Sequence, residues 1–153
     1  MDLHPTESWS DGFDRSQLLA WAHAHASWSS DAWARGDVQS WTSAFTGDVQ
    51  AHIRRGIGPE SYWGVADLVE RGWGLRELFP EELVTVVDVS PPAVALYHIV
   101  MRNELENEVG IFIAHRIDGT GRIAEFVVHD DDALRADVDA SVALLSNRHQ
   151  QHC

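Results

Sequence analysis

Four runs rich in β-branched residues, Leu83–Val89, Ala93–Glu104, Glu108–Ile117 and Arg122–Asp130, follow one another with almost nothing between them. The links are Ser90-Pro91-Pro92, Leu105-Glu106-Asn107 and Asp118-Gly119-Thr120-Gly121. A parallel crossover needs a dozen residues or more, so these links are hairpins and the runs form an antiparallel meander. An isolated meander leaves one apolar face uncovered, and the rest of the chain has to supply the cover.

The N-terminal half reads as that cover. Leu18, Trp21, Trp28 and Ala32 recur at helical spacing, Gly36 stops the pattern, and Asp37 is placed to cap a second helix carrying Val38, Trp41 and Phe45 up to Gly47. Val49, Ala51 and Ile53 then alternate with polar residues as a short strand. Gly56, Gly58 and Pro59 read as a loop, and Val65, Leu68, Leu75 and Phe79 mark a third helix closed by Pro80. A last helix is expected over Ala133–Ser146, with residues 1–15 and 147–153 as flexible ends around one domain, 16–146.

Composition excludes several partners. Acidic residues outnumber basic ones by 24 to 11, and a net charge of −13 repels phosphate backbones and anionic lipid, so neither nucleic acid nor membrane is an expected partner. The sole cysteine, Cys153, cannot form an internal disulfide, and residues 1–15 lack an apolar run. A reducing, cytoplasmic setting is the expectation. Glycine-rich nucleotide loops, the Gly-x-Ser-x-Gly elbow and paired metal ligands do not occur, and His23 and His25 diverge on a helix. No cofactor and no metal are expected.

Two stretches carry a resemblance. Ala34-Arg35-Gly36-Asp37-Val38 precedes Trp41 and Phe45-Thr46-Gly47-Asp48-Val49, with Gly64 ahead of the third helix; later comes His115-Arg116-Ile117-Asp118-Gly119-Thr120-Gly121-Arg122-Ile123, then Asp130-Asp131-Asp132-Ala133-Leu134. Over roughly residues 16–138 this order resembles the SnoaL-like branch of the NTF2-like superfamily. The resemblance implies an α+β cone: three N-terminal helices packed on a curved antiparallel sheet, plus a C-terminal helix, around a pocket. It also implies sheet-to-sheet homodimers. The superfamily includes ketosteroid isomerases, polyketide cyclases, dehydratases, epoxide hydrolases and members without catalysis, so the fold does not decide the function.

Aligning the Gly121-Arg122-Ile123 hairpin with that of ketosteroid isomerase turns Phe126, Val128 and Asp130 inward, and Val109, Ile111, Ile113 and His115 share that face. Counting across the next turn turns Leu96, His98, Val100 and Arg102 inward as well. The positions matching the isomerase's acid and base hold Ile113 and Ile53, and the epoxide hydrolase acid falls at Val128, which disfavours both chemistries. What remains is His98 as a proton donor or acceptor, Arg102 to stabilise negative charge, and Asp130 to orient His98 or act as a base. Substrate contacts are expected from His25, Leu96, Val100, Ile111, Ile113, His115, Phe126 and Val128, with Trp63 at the mouth. The same residues have structural readings: His98 as a core histidine, Arg102 as a solvent-facing strand end, Asp130 as a helix cap.

The leading expectation is a cofactor-independent acid–base enzyme, of cyclase, isomerase or dehydratase type, acting on a small hydrophobic polyketide-like or terpenoid-like molecule. A non-catalytic binding or assembly module is the alternative, and an epoxide hydrolase a further one. The outward row Tyr97, Ile99, Met101, Phe112 and Ala114 predicts a homodimer, unless the last helix covers it.

Overall fold

The computed structural model describes residues 12–56 and 58–151, so the expected flexible ends fall outside it at residues 1–11 and 152–153. Its elements run α1 (Arg15–Arg35), α2 (Val38–Thr42), β1 (Phe45–Arg55), β2 (Gly58–Trp63), α3 (Gly64–Leu68), a π-helical turn (Val69–Trp73), α4 (Leu75–Leu78), β3 (Glu81–Ser90), β4 (Val94–Arg102), β5 (Glu108–Ile117), β6 (Ile123–Asp130) and α5 (Arg135–Gln151). No described helix is long and apolar enough to cross a membrane.

Helix α1 is closed at both ends by local chemistry. The Asp14 carboxylate accepts from the Gln17 backbone N–H and the Gln17 side chain accepts from the Asp14 N–H, a reciprocal capping box. At the other end Gly36 adopts φ 68°, and the Arg76 guanidinium donates to the carbonyls of Trp33 and Ala34. The buried stripe is Leu18, Ala22, His25, Ser29 and Ala32 with Trp21, Ala26 and Trp33 beside it. Two polar residues thus sit in phase with the apolar face. Trp28, expected on that stripe, is only half-buried and donates to the Ser40 carbonyl.

Several expectations change. The second helix ends at Thr42, and Phe45 and Gly47 belong to β1. The loop expected at Gly58 and Pro59 opens a sixth strand, β2, paired antiparallel to β1. Because β2 lies at the sheet edge, the N–H that proline lacks is not needed by a neighbour. The single third helix is instead three short pieces, interrupted where Gly72 and Gly74 fall. The expected tail continues as helix to Gln151, and Arg148 is held by Glu125 at 3.0 Å.

The sheet order is β2-β1-β6-β5-β4-β3. The meander β3-β4-β5-β6 is antiparallel throughout, but β1 joins β6 in parallel. Helices pack on both faces of the sheet. On the inner face α1 and the broken third helix enclose the main core, and on the outer face α5 packs Val138 and Leu145 against Val94, Leu96, Ala114 and Val127.

The register of β4 overturns one inference. Arg102 opposes Glu108 directly and Tyr97 opposes Ile113, so residues of like parity share a face across this hairpin. Tyr97, Ile99 and Met101 therefore join Ile111 and Ile113 on the inner face, and Leu96, His98, Val100 and Arg102 turn outward. A shift of one residue moves every side chain of a strand to the other face.

Candidate functional site

The inner face and its helical cover enclose a cavity of about 290 Å³. Its wall is largely aliphatic and aromatic, with Ile53, Ile99, Ile111, Ile113, Phe126 and Val128 supplied by the sheet. Of the contacts expected from sequence, His25, Ile111, Ile113, His115, Phe126 and Val128 line it. Trp63 does not, and is 59% exposed.

The three residues expected to carry the chemistry lie elsewhere. His98 is on the outer face, where Nε2 meets the Asp131 carboxylate at 3.3 Å and the ring leans on Phe112. Arg102, also outward, donates to Glu108 at 2.7 Å near the surface. Leu96 is buried under α5, and Val100 shares that face. Asp130 keeps the inward phase but ends at the rim, accepting from Arg55 Nε at 2.7 Å and from the Gly56 N–H at 2.8 Å. The Arg55 hydrogen bond holds its carboxyl below the ordinary value, the reverse of what a base raised by burial would need.

The polar groups that do face the cavity form two sets. In one, His25 on α1, Tyr97 on β4 and His115 on β5 meet with ring centroids 5.0–5.8 Å apart: 5.1 Å for His25–His115, 5.8 Å for His25–Tyr97 and 5.0 Å for Tyr97–His115. All three are buried, and His25 Nδ1, His115 Nδ1 and Tyr97 Oη have no hydrogen-bond partner among the described residues. Burial lowers the pKa of His25 to about 4 and that of His115 well below its ordinary value, so both rings are neutral near pH 7.

In the other set, Glu82 on β3 reaches across to Ser29, whose hydroxyl donates to the carboxylate at 3.3 Å. Glu82 pairs with Met101 and lines the cavity with it. Burial among these apolar groups raises its pKa to about 7, only partly countered by the Ser29 hydrogen bond. A carboxyl poised at neutrality in an apolar cleft can both give and take a proton. Sequence reasoning missed it because both phases of the β3 run, Glu82-Val84-Val86 and Leu83-Thr85-Val87, contain apolar residues. Only the pairing of Glu82 with Met101 tells the faces apart. Ser29 had a signal: it follows His25 by one helical turn.

The mouth carries two further ion pairs, Arg55 with Asp130 and Arg71 with Glu60. Among the described residues no group of three or more His, Cys, Asp or Glu could hold a metal.

No family model matches the sequence, and no curated protein matches it. Solved structures do. An NTF2-like protein from Anabaena variabilis superposes with a TM-score of 0.61 at 13% identity, covering 86% of this chain and 97% of that one. A SnoaL-like protein of unknown function from Burkholderia thailandensis gives 0.56 at 13% identity over 72% and 94%. IdmH from Streptomyces antibioticus, described as a candidate polyketide cyclase, gives 0.52 at 14% identity over 81% and 96%. The chain has the NTF2-like fold that these SnoaL-like and NTF2-like proteins share.

Proposed function

We propose that the chain is a cofactor-independent acid–base enzyme that moves a proton on a small hydrophobic molecule of polyketide-like or terpenoid-like character, with Glu82 as the proton carrier. The observation that carries this reading is Glu82 itself, a carboxyl with a pKa near 7 facing an apolar cavity and oriented by Ser29. Proton transfer is fastest when the carrier's pKa lies near the working pH, and a positioned general base contributes on the order of 10²–10⁴-fold. The candidate cyclase among the structural neighbours supports the substrate class. The test is base-catalysed exchange: with an enolisable bicyclic ketone in deuterated buffer, NMR should show loss of the α-proton signal with an inflection near pH 7. Glu82→Gln should slow it by at least about 100-fold. Exchange that persists in a folded Glu82→Gln protein would sink the assignment.

A second reading, a binding module without catalysis, draws on Ile53, Ile113 and Val128, which line the cavity where the resemblance places carboxylates. Tight binding with no exchange at any pH would select it.

We also propose that the chain pairs with a second copy through the uncovered part of the outer face. Tyr97, Ile99 and Met101 no longer contribute, since they face the cavity, and α5 covers Ala114. Phe112 stays on that face, half-buried against the α5 cluster, and the exposed support is Leu83, 63% exposed beside Val100.

A further inference from the structure

We propose that the wall formed by His25, Tyr97 and His115 is a recognition subsite for an uncharged oxygen, a ketone carbonyl or a hydroxyl, carried by a flat apolar ligand, and that it rejects a carboxylate, phosphate or ammonium at that position. The inference rests on the small-molecule reading of the cavity but not on the role of Glu82.

Its starting point is an anomaly. Buried polar side-chain atoms are nearly always hydrogen-bonded, and each one left unpaired costs about 1–3 kcal/mol. Three such atoms, His25 Nδ1, His115 Nδ1 and Tyr97 Oη, belong to mutually touching residues on the wall of one cavity. Their neighbours leave little room to seek partners within the protein. Trp21 stacks on His25 at 5.1 Å and 3° between planes, with its own Nε1 held by the Gly121 carbonyl. His115 is wedged edge-on between Phe45 at 6.2 Å and Phe126 at 5.9 Å. The residues themselves line the cavity, so a group entering it is the remaining source of partners, met by a small turn of these rings because the three atoms expose almost no surface as they stand.

The chemistry of the wall decides what that group is. A tyrosine hydroxyl donates or accepts, and a neutral imidazole carries one donor and one acceptor nitrogen, so together they suit an oxygen that takes one hydrogen bond and offers another site. Burial keeps both imidazoles neutral, and the nearby guanidiniums are already engaged, Arg55 by Asp130 and Arg71 by Glu60. An anion placed here would lose its hydration with no free cation to face among the described residues that line the cavity. An ammonium would meet donors as well as acceptors. The aromatic edges of Phe45, Phe126 and Tyr97 favour a flat ring system.

The experiment compares tetralone, tetralin and tetralin bearing a carboxylate or an ammonium, by calorimetry at pH 7.5. Tetralone should bind about tenfold more tightly than tetralin, one hydrogen bond's worth, and both charged analogues more weakly than tetralin. Tyr97→Phe should bring the tetralone preference to within about twofold while tetralin binding holds, and should raise the melting temperature of the empty protein by a few degrees. His115→Leu provides the same comparison should Tyr97→Phe fold poorly. Equal affinities for tetralone and tetralin, or a charged analogue binding as well as tetralone, would overturn the subsite alone. If none of the four compounds binds, the small-molecule reading of the cavity falls with it. A tetralone preference retained in Glu82→Gln separates recognition from the proton transfer proposed above.

Discussion

Two polar clusters lie back to back on this sheet, and they are built to opposite rules. On the outer side Glu125, fully buried on β6, is met by His52 Nε2 at 2.7 Å, Arg148 at 3.0 Å and Arg116 at 3.3 Å, and His52 is held in turn by Ser61 at 3.0 Å. The carboxylate is saturated with partners and joins β1, β5, β6 and α5. On the inner side His25, Tyr97 and His115 are as deeply buried, yet among the described residues His25 Nδ1, His115 Nδ1 and Tyr97 Oη have no partner and Glu82 has Ser29 alone. A buried charge with complete partners has nothing left to offer a ligand. Buried groups left incomplete cost stability unless something else completes them. The outer cluster therefore reads as architecture and the inner one as recognition.

The largest effect is expected at Glu125. Glu125→Leu removes the shared anion and strands Arg116 and His52 beside an apolar side chain, so urea titration should show a loss of about 3–5 kcal/mol. Ligand binding by the fraction that stays folded should be unchanged. A loss under about 1 kcal/mol would mean that the cluster is not the clamp described, because a solvated pair is worth no more than that.

On the inner side a smaller effect is expected from pH. His25 titrates near 4 in the folded chain and near 6.5 when unfolded, so the unfolded state takes up the proton first and stability falls on acidification through that window; His115 acts in the same direction. Glu82 has the opposite sign. Its folded pKa, about 7, lies above the ordinary 4.5, so its contribution is present at low pH and is lost as pH rises from about 4.5 to about 7. Between about pH 4.5 and 6.5 the two slopes oppose each other. Glu82→Gln removes one of them, and its stability should decline on acidification more steeply than the parent's, by up to about 1.4 kcal/mol per pH unit. Parallel curves for the two proteins would show that Glu82 titrates as a solvated carboxyl.

The smallest effect concerns assembly. Leu83→Asp should change the folding free energy by no more than about 0.5 kcal/mol, since the side chain is 63% exposed, yet convert a dimer to a monomer by light scattering. A parent protein that is already monomeric at micromolar concentration removes the pairing proposal.

Much of this architecture could be read along the chain. The meander followed from links too short for helices, α1 and its C-terminal stop from Gly36 and a 3.6-residue stripe, and β5 from Glu108 to Ile117 was located to the residue. Such features depend on contacts between near neighbours in sequence, where spacing and turn chemistry are enough. The strand at Gly58 and Pro59 was hidden because those residues are turn formers everywhere except at a sheet edge, and an edge exists only once the sheet is assembled.

The site divides along the same line. Ile111, Ile113, His115, Phe126 and Val128 were legible as cavity-lining because alternation within β5 and β6 is local and the resemblance supplied its phase, and His25 because it lies on the apolar stripe of α1. His98 and Arg102 went to the wrong face, and Glu82 and Tyr97 went unrecognised, because each depends on which residue of β4 opposes which residue of β3 and β5. The amino-acid order by itself determined periods, caps and turns. Only the tertiary structure decided the cross-strand register, since a one-residue slip reverses every side chain of a strand at little local cost, and packing against the whole core selects between the two faces.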